Sequence, residues 1–187
     1  MKIKSLGSLL LVAFFVSCSM SSANAKLAIK STDIAPNAAI IDKFVFNGFG
    51  CSGQNISPQI SWSGAPLGTK SFAVTVYDPD APTGSGWWHY VAINIPLSYS
   101  ALPSGFAATN KFITKDGINQ VRNDFGVNNF GGPCPPVGDK AHRYVFTVYA
   151  LKTDKLDVAE SATAALAGYM INQNVLDKAT FTGFYKR

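Results

Sequence analysis

Ser71-Phe72-Ala73-Val74-Thr75-Val76-Tyr77-Asp78, running on into Pro79-Asp80-Ala81-Pro82, is the stretch that decides the fold. Phe72, Val74 and Val76 alternate with Ala73, Thr75 and Tyr77, the period of two that an extended strand imposes on its side chains. Both faces are apolar, which puts this strand at the centre of a sandwich rather than at an edge. Working outward, Trp88 to Ile95 reads as a second strand with His89, Val91 and Ile93 on one side. Tyr144 to Leu151 is a third, with Tyr144, Phe146 and Val148 sharing a face. Ile60 to Trp62 and Thr180 to Tyr185 are shorter strand candidates. One helix is expected within Ser161 to Asn174, where Ala162, Ala165, Leu166, Tyr169 and Met170 recur at helical spacing. The expected fold class is therefore mostly β, with long loops and a C-terminal helix.

Composition agrees with that reading. The 16 Gly and 10 Pro beside 13 Phe, 7 Tyr and 3 Trp fit many strands joined by turns. A hydrophobic share of 47% against 14% charged rules out wholesale disorder, and 187 residues fit one ordinary domain. No internal repeat, low-complexity run or linker divides the chain.

The first 25 residues read differently. Lys2 and Lys4 form a positive start, Leu9 to Val16 an apolar stretch too short to span a bilayer, and Ala23-Asn24-Ala25 a small-x-small cleavage site. The expected organisation is a signal peptide over residues 1–25 and a single domain over residues 26–187, periplasmic or secreted after cleavage near Ala25. Cys18 offers an alternative, because Phe15-Val16-Ser17 before it loosely resembles a lipoprotein signal; the usual Leu three residues earlier is missing. Without Lys2 and Lys4 the 16 basic residues become 14 against 11 acidic, a net +3 with no basic run, which excludes nucleic acid as the partner.

Beyond residue 25 the cysteines are Cys51 and Cys134, an even count for an oxidising compartment, so a disulfide is expected. It would close a loop of roughly 80 residues and contribute about 4 kcal/mol. Zinc, with His89 and His142 as further ligands, is the rival, but neither C-x-x-C nor H-x-x-x-H is present and no metal is expected.

Gly48-Phe49-Gly50-Cys51-Ser52-Gly53 matches G-x-G-x-x-G by letter. A dinucleotide site needs a helix to start there, whereas Asn55-Ile56-Ser57-Pro58 leads into a strand, so the run is a glycine loop. The P-loop, the G-x-S-x-G elbow and H-E-x-x-H are absent, and no cofactor is expected. Two other segments carry chemistry. Asp78-Pro79-Asp80-Ala81-Pro82 is a turn stiffened by two prolines that holds a carboxylate where a His on the next strand, after Trp87-Trp88-His89, would reach it. Gly131-Gly132-Pro133-Cys134-Pro135-Pro136, followed by His142-Arg143-Tyr144, adds a second His, a Tyr hydroxyl and a proline-stiffened wall. Singly, each His also fits a satisfied edge residue; together the motifs describe a small polar pocket.

These residues resemble the phosphatidylethanolamine-binding proteins, called Raf kinase inhibitor protein-like in bacteria, and in particular the exported members of the bacterial YbhB/YbcL branch. The resemblance is carried by Asn55-Ile56-Ser57-Pro58, Gly68-Thr69-Lys70-Ser71-Phe72, the run from Tyr77 to His89, Asn123-Asp124-Phe125-Gly126, and Pro135-Pro136-x-Gly138 before His142-Arg143-Tyr144. It implies a β-sandwich with Greek-key connections and, at one end, a pocket for phosphate, phosphoethanolamine or other small anions. Asp78, His89, Cys134, Pro135, Pro136, His142 and Tyr144 would line that pocket, Trp87 would pack at its rim, and Asp80 and Arg143 would buttress the turns. A carboxylate beside two imidazoles, the arrangement that the resemblance implies, would raise their pKa values and favour protonated donors to an anion. Cys134 stands where the family loop commonly has Gly or Ala, and the last strand lies so near Arg187 that no lid tyrosine is assigned.

The resemblance also implies a second reading, a kinase- or protease-inhibitor-like interaction module, host-directed if exported, using the loops Pro82 to Trp87 and Ala101 to Gly117. Pairing into a homodimer is a further implication. A hydrolase using His89 or His142 as base with Asp78 as orienter is the third reading, for which the sequence supplies no nucleophile. A binding protein rather than an enzyme is expected.

Overall fold

The computed structural model describes residues 26–187; the signal peptide read over residues 1–25, with Cys18, lies outside the described residues. The decisive stretch is a strand, Ser71–Asp78 (β5), and it sits in the middle of a five-stranded sheet. Its neighbours are Trp87–Pro96 (β6) on one side and His142–Leu151 (β9) on the other, both antiparallel. Asn119–Gln120 (β8) adds to β6, and Val175–Tyr185 (β10) adds to β9. The spatial order β9, β5, β6, β8 is the four-strand Greek key, the fourth strand returning to lie beside the first.

A smaller sheet of Ala28–Lys30 (β1), Ile60–Ser63 (β4) and Ala101–Leu102 (β7) completes the sandwich. Phe72, Val74 and Val76 share one buried cluster with Ile60, Trp62 and Leu102, together with Tyr144, Phe146 and Val148. The opposite face of the large sheet is also covered. Ala73, Val91 and Ile93 pack with Leu156, Val158 and the helix Ala164–Asn174 (α1), which explains why β5 is apolar on both sides.

Two expectations about facing are corrected. In α1 the buried residues are Ala164, Ala167 and Ile171, while Leu166 and Tyr169 are 51% and 60% exposed. The sheet presents Trp88 to the helix, so close that a methyl added at Gly168 would come within 3.4 Å of the indole. Ala164 and Ala167 therefore take the inner face beside Trp88, with Ile171 buried and Met170 partly buried, while Leu166 and Tyr169, predicted to be inside, point out. The second correction concerns His89. Val76 pairs with Tyr90 and Tyr77 with Trp88, so His89 is an extra, unpaired residue of β6. This bulge turns its ring away from Val91 and Ile93 and onto the face of Tyr144, with ring centroids 5.1 Å apart.

The G-x-G-x-x-G run forms a tight hairpin. Asn47–Gly48 (β2) pairs with Cys51–Ser52 (β3) across Phe49 and Gly50, whose φ values of 54° and 81° suit a two-residue primed turn. Cys51 is joined to Cys134 by a disulfide, so the hairpin is tied to the Pro135-Pro136 loop. The last residue acts on the same pair of loops: Arg187 Nε donates to Pro135 O at 2.6 Å and Nη2 to Phe49 O at 3.2 Å.

Candidate functional site

The ends of β5 and β10 and the starts of β6 and β9 meet at one end of the sandwich, because Asp78 pairs with Trp87 and Tyr185 with His142. A cavity of about 220 Å³ opens there. All seven residues expected to line the pocket line this cavity: Asp78, His89, His142 and Tyr144 form the floor, and Cys134, Pro135 and Pro136 one wall. Trp87 lies beside them, and Phe49, Ala81, Pro82, Thr83 and Phe125 complete the lining.

The floor is buried, with Asp78 and His89 each 3% exposed, His142 2% and Tyr144 fully enclosed. Asp78 uses both carboxylate oxygens. Oδ1 accepts from Asp80 N at 2.8 Å, which closes the proline turn, and Oδ2 lies 2.8 Å from His142 Nδ1. A carboxylate only accepts, so the imidazole donates from Nδ1. The expectation that Asp78 reaches the His of the next strand is thus corrected: its partner is His142 on β9. The other ring nitrogen of His142, Nε2, lies 3.3 Å from Asp139 Oδ2.

His89 turns instead to the loop, with Nδ1 2.6 Å from Gly131 O. Burial lowers its pKa from 6.5 to about 4, outweighing the Gly131 backbone, the Asp78 charge and the Gly132 backbone, which all raise it. The expected raising of both imidazoles is therefore overturned at His89, which is neutral at pH 7. A consequence for stability follows. Between pH 6.5 and 4 the unfolded chain binds a proton at His89 that the folded one does not, so stability is full above 6.5 and is lost as pH falls toward 4. The loss at this one group is about 3 kcal/mol. Denaturant unfolding of the wild type and a His89→Phe variant from pH 7 to pH 4 checks this; parallel curves would rule it out.

Tyr144 keeps its proton, since burial first and then the charges of Asp78, Tyr185 and Asp80 push its pKa up. Among the described residues, neither the Tyr144 hydroxyl nor Trp87 Nε1, both buried, has a hydrogen-bond partner. Asp80 and Arg143 stand outside the cavity as buttresses. Arg143 donates from Nε and Nη2 to the two oxygens of Asp80 at 2.9 and 2.7 Å, and from its backbone N at 2.9 Å. Chiefly through those side-chain bonds, Asp80 is held down at about 2.

Two quoted motifs acquire roles that sequence reasoning missed. Asn123 Nδ2 donates to His89 O at 3.0 Å, while its Oδ1 accepts from Phe125 N at 3.1 Å and Val127 N at 3.2 Å. The Asn123-Asp124-Phe125-Gly126 turn thereby fixes Phe125, whose ring stacks on Phe46 at 4.3 Å and meets Trp87 and His89 edge-on. Asn55 Oδ1 accepts from Gly132 N at 2.7 Å and Nδ2 donates to Phe130 O at 3.1 Å, which sets the glycine pair under the wall. Gly132 has to be glycine, because a methyl there would overlap the Phe44 carbonyl oxygen. Among the described residues no group of three or more His, Cys, Asp or Glu side chains is placed to hold a metal ion, and no helix is long and apolar enough to cross a membrane.

The family model described as phosphatidylethanolamine-binding protein matches residues 30–186, and the chain belongs to that family. Within it, YbcL of Escherichia coli K12 is 49% identical over 162 residues, spanning 87% of this chain and 88% of YbcL. YbhB of the same organism is 44% identical over 155 residues, 83% of this chain and 97% of YbhB. The crystal structure of E. coli YbcL, described as a new member of the mammalian PEBP family, matches with a TM-score of 0.83, covering 87% of this chain and 99% of that one. The Chlamydia trachomatis homologue CT736 matches with a TM-score of 0.71 at 27% identity, covering 87% of this chain and 99% of that one.

Proposed function

We propose that this protein is an exported binding protein, not an enzyme, that takes phosphate, phosphoethanolamine-type or other small anionic groups into the cavity at the end of the sandwich. Residues 1–25 serve as its signal peptide and residues 26–187 as the single binding domain. The observation that carries the reading is the pair of buried donors beside the cavity, Trp87 Nε1–H and the Tyr144 hydroxyl, neither partnered within the described residues. Buried polar groups are nearly always hydrogen-bonded, so two such donors around one cavity suit a ligand rich in acceptor oxygens. Family membership supports the same reading.

Two side chains that would be nucleophiles elsewhere are engaged here. Cys134 is in the disulfide, and Thr83 Oγ1 donates to Gly86 O. Asp78 orients His142 and leaves the anion to the donors. Calorimetric titration with phosphoethanolamine is expected to show weak binding by the wild type that is lost in His89→Ala. Undiminished binding by a folded His89→Ala protein would remove the cavity assignment.

A further inference from the structure

The two histidines of the floor have different partners: carboxylates at His142 and a backbone carbonyl at His89. The Gly131 carbonyl, 2.6 Å from His89 Nδ1, only accepts, so the ring proton is on Nδ1. In the neutral ring Nε2 then carries a lone pair, and it makes no hydrogen bond within the described residues. The groups around this ring are Asp78 on β5, His142 and Tyr144 on β9, the Gly131 and Gly132 backbone of the wall loop, and Phe125. Neither Lys nor Arg lines the cavity among the described residues, and Arg143 is committed to Asp80 outside it. Anion capture here therefore relies on hydrogen-bonding groups of lining residues, among them the His89 ring and the unpartnered donors of Trp87 and Tyr144.

We propose that His89 Nε2 acts as an acceptor that selects oxyanions still carrying a proton, such as hydrogen phosphate and phosphomonoester monoanions, over fully deprotonated oxyanions of the same size such as sulfate. This rests on the reading that the cavity binds small anions. The P–OH of the ligand donates to Nε2, and its other oxygens accept from Trp87 Nε1–H and the Tyr144 hydroxyl. Sulfate brings only acceptors and sets lone pair against lone pair, a contact as unfavourable as an unsatisfied buried group. It enters only if the ring first takes a proton from water. That route loses about tenfold in affinity for each pH unit above the ring's own titration, which burial places well below neutrality.

Calorimetric titration of the protein with inorganic phosphate and with sulfate at pH 5, 6 and 7 tests this. Phosphate is expected to bind about tenfold or more tightly than sulfate at pH 6, and the sulfate affinity to fall steeply from pH 5 to 7 while the phosphate affinity does not. His89→Gln, whose amide tip presents either a donor or an acceptor, is expected to bring the two anions to within about threefold of each other. Equal binding of both anions by the wild type overturns the selection but leaves the anion cavity standing; binding of neither overturns both. Nitrogen-15 shifts of the His89 ring give a readout free of any variant: a proton on Nδ1 is expected, and a proton on Nε2 overturns the inference.

Discussion

Replacing Asp78 by alanine is expected to destabilise the protein by about 3 kcal/mol and to abolish anion binding with it. The carboxylate is 3% exposed and satisfies two donors, the buried His142 Nδ1–H and the half-buried Asp80 amide, and alanine would leave both unpartnered. The imidazole of His142 would lose the bond that orients it, and Asp80 would loosen at the turn from which it holds Arg143. Asp78→Asn keeps an oxygen for one of the two donors and is expected to cost less, about 1 to 2 kcal/mol. Urea unfolding of both variants checks the order. An alanine variant within about 1 kcal/mol of the wild type would mean that the Asp78–His142 pair is incidental.

Removing the disulfide is expected to have the opposite division of effects. Cys51 and Cys134 are 83 residues apart, and losing a loop of that length costs about 4 kcal/mol through the entropy of the unfolded chain. For a protein of this size that lowers the melting temperature by roughly 8 to 16 °C. Anion affinity, by contrast, is expected to change less than about threefold. The wall is fixed by other bonds: Phe46 N donates to Pro133 O at 3.0 Å, Gly132 N to Asn55 Oδ1, and Arg187 to both Pro135 O and Phe49 O. Thermal unfolding and phosphate titration of the Cys51→Ser, Cys134→Ser double variant separate the two quantities. A loss of affinity as large as the loss of stability would show that the bridge shapes the cavity.

The strands were legible in the sequence where burial is simple. β5 is covered on both faces, so its apolar run announced itself, and β9 alternates cleanly onto the core. The bulge at His89 was not legible, because one extra residue inside Trp-Trp-His-Tyr-Val leaves no mark in an apolar pattern; only the pairing register reveals it. The helix face was misread for a related reason. Periodicity ranks residues by hydrophobicity, whereas the close approach of Trp88 at Gly168 leaves the small Ala164 and Ala167 inside and Leu166 and Tyr169 out. The motifs placed every expected lining residue at one cavity, but spacing along a chain does not say which imidazole a carboxylate meets. Phe49 and Phe125 were missed as lining residues although both lay in quoted segments; the signal was an aromatic residue flanked by turn formers, where no core strand would place it.

The Greek-key return has a bearing on how the protein comes into being. Phe49, Asp78, His89, Phe125, Cys134 and His142 come from six separate segments, and Arg187 pins two of them. Until β9 slots in beside β5, and β10 beside β9, the carboxylate has no imidazole and the wall has no back. Contacts so distant in sequence form late and slowly in folding. The proposed ligand capture would then report chain completion, because a truncated molecule has no closed cavity in which to hold an anion.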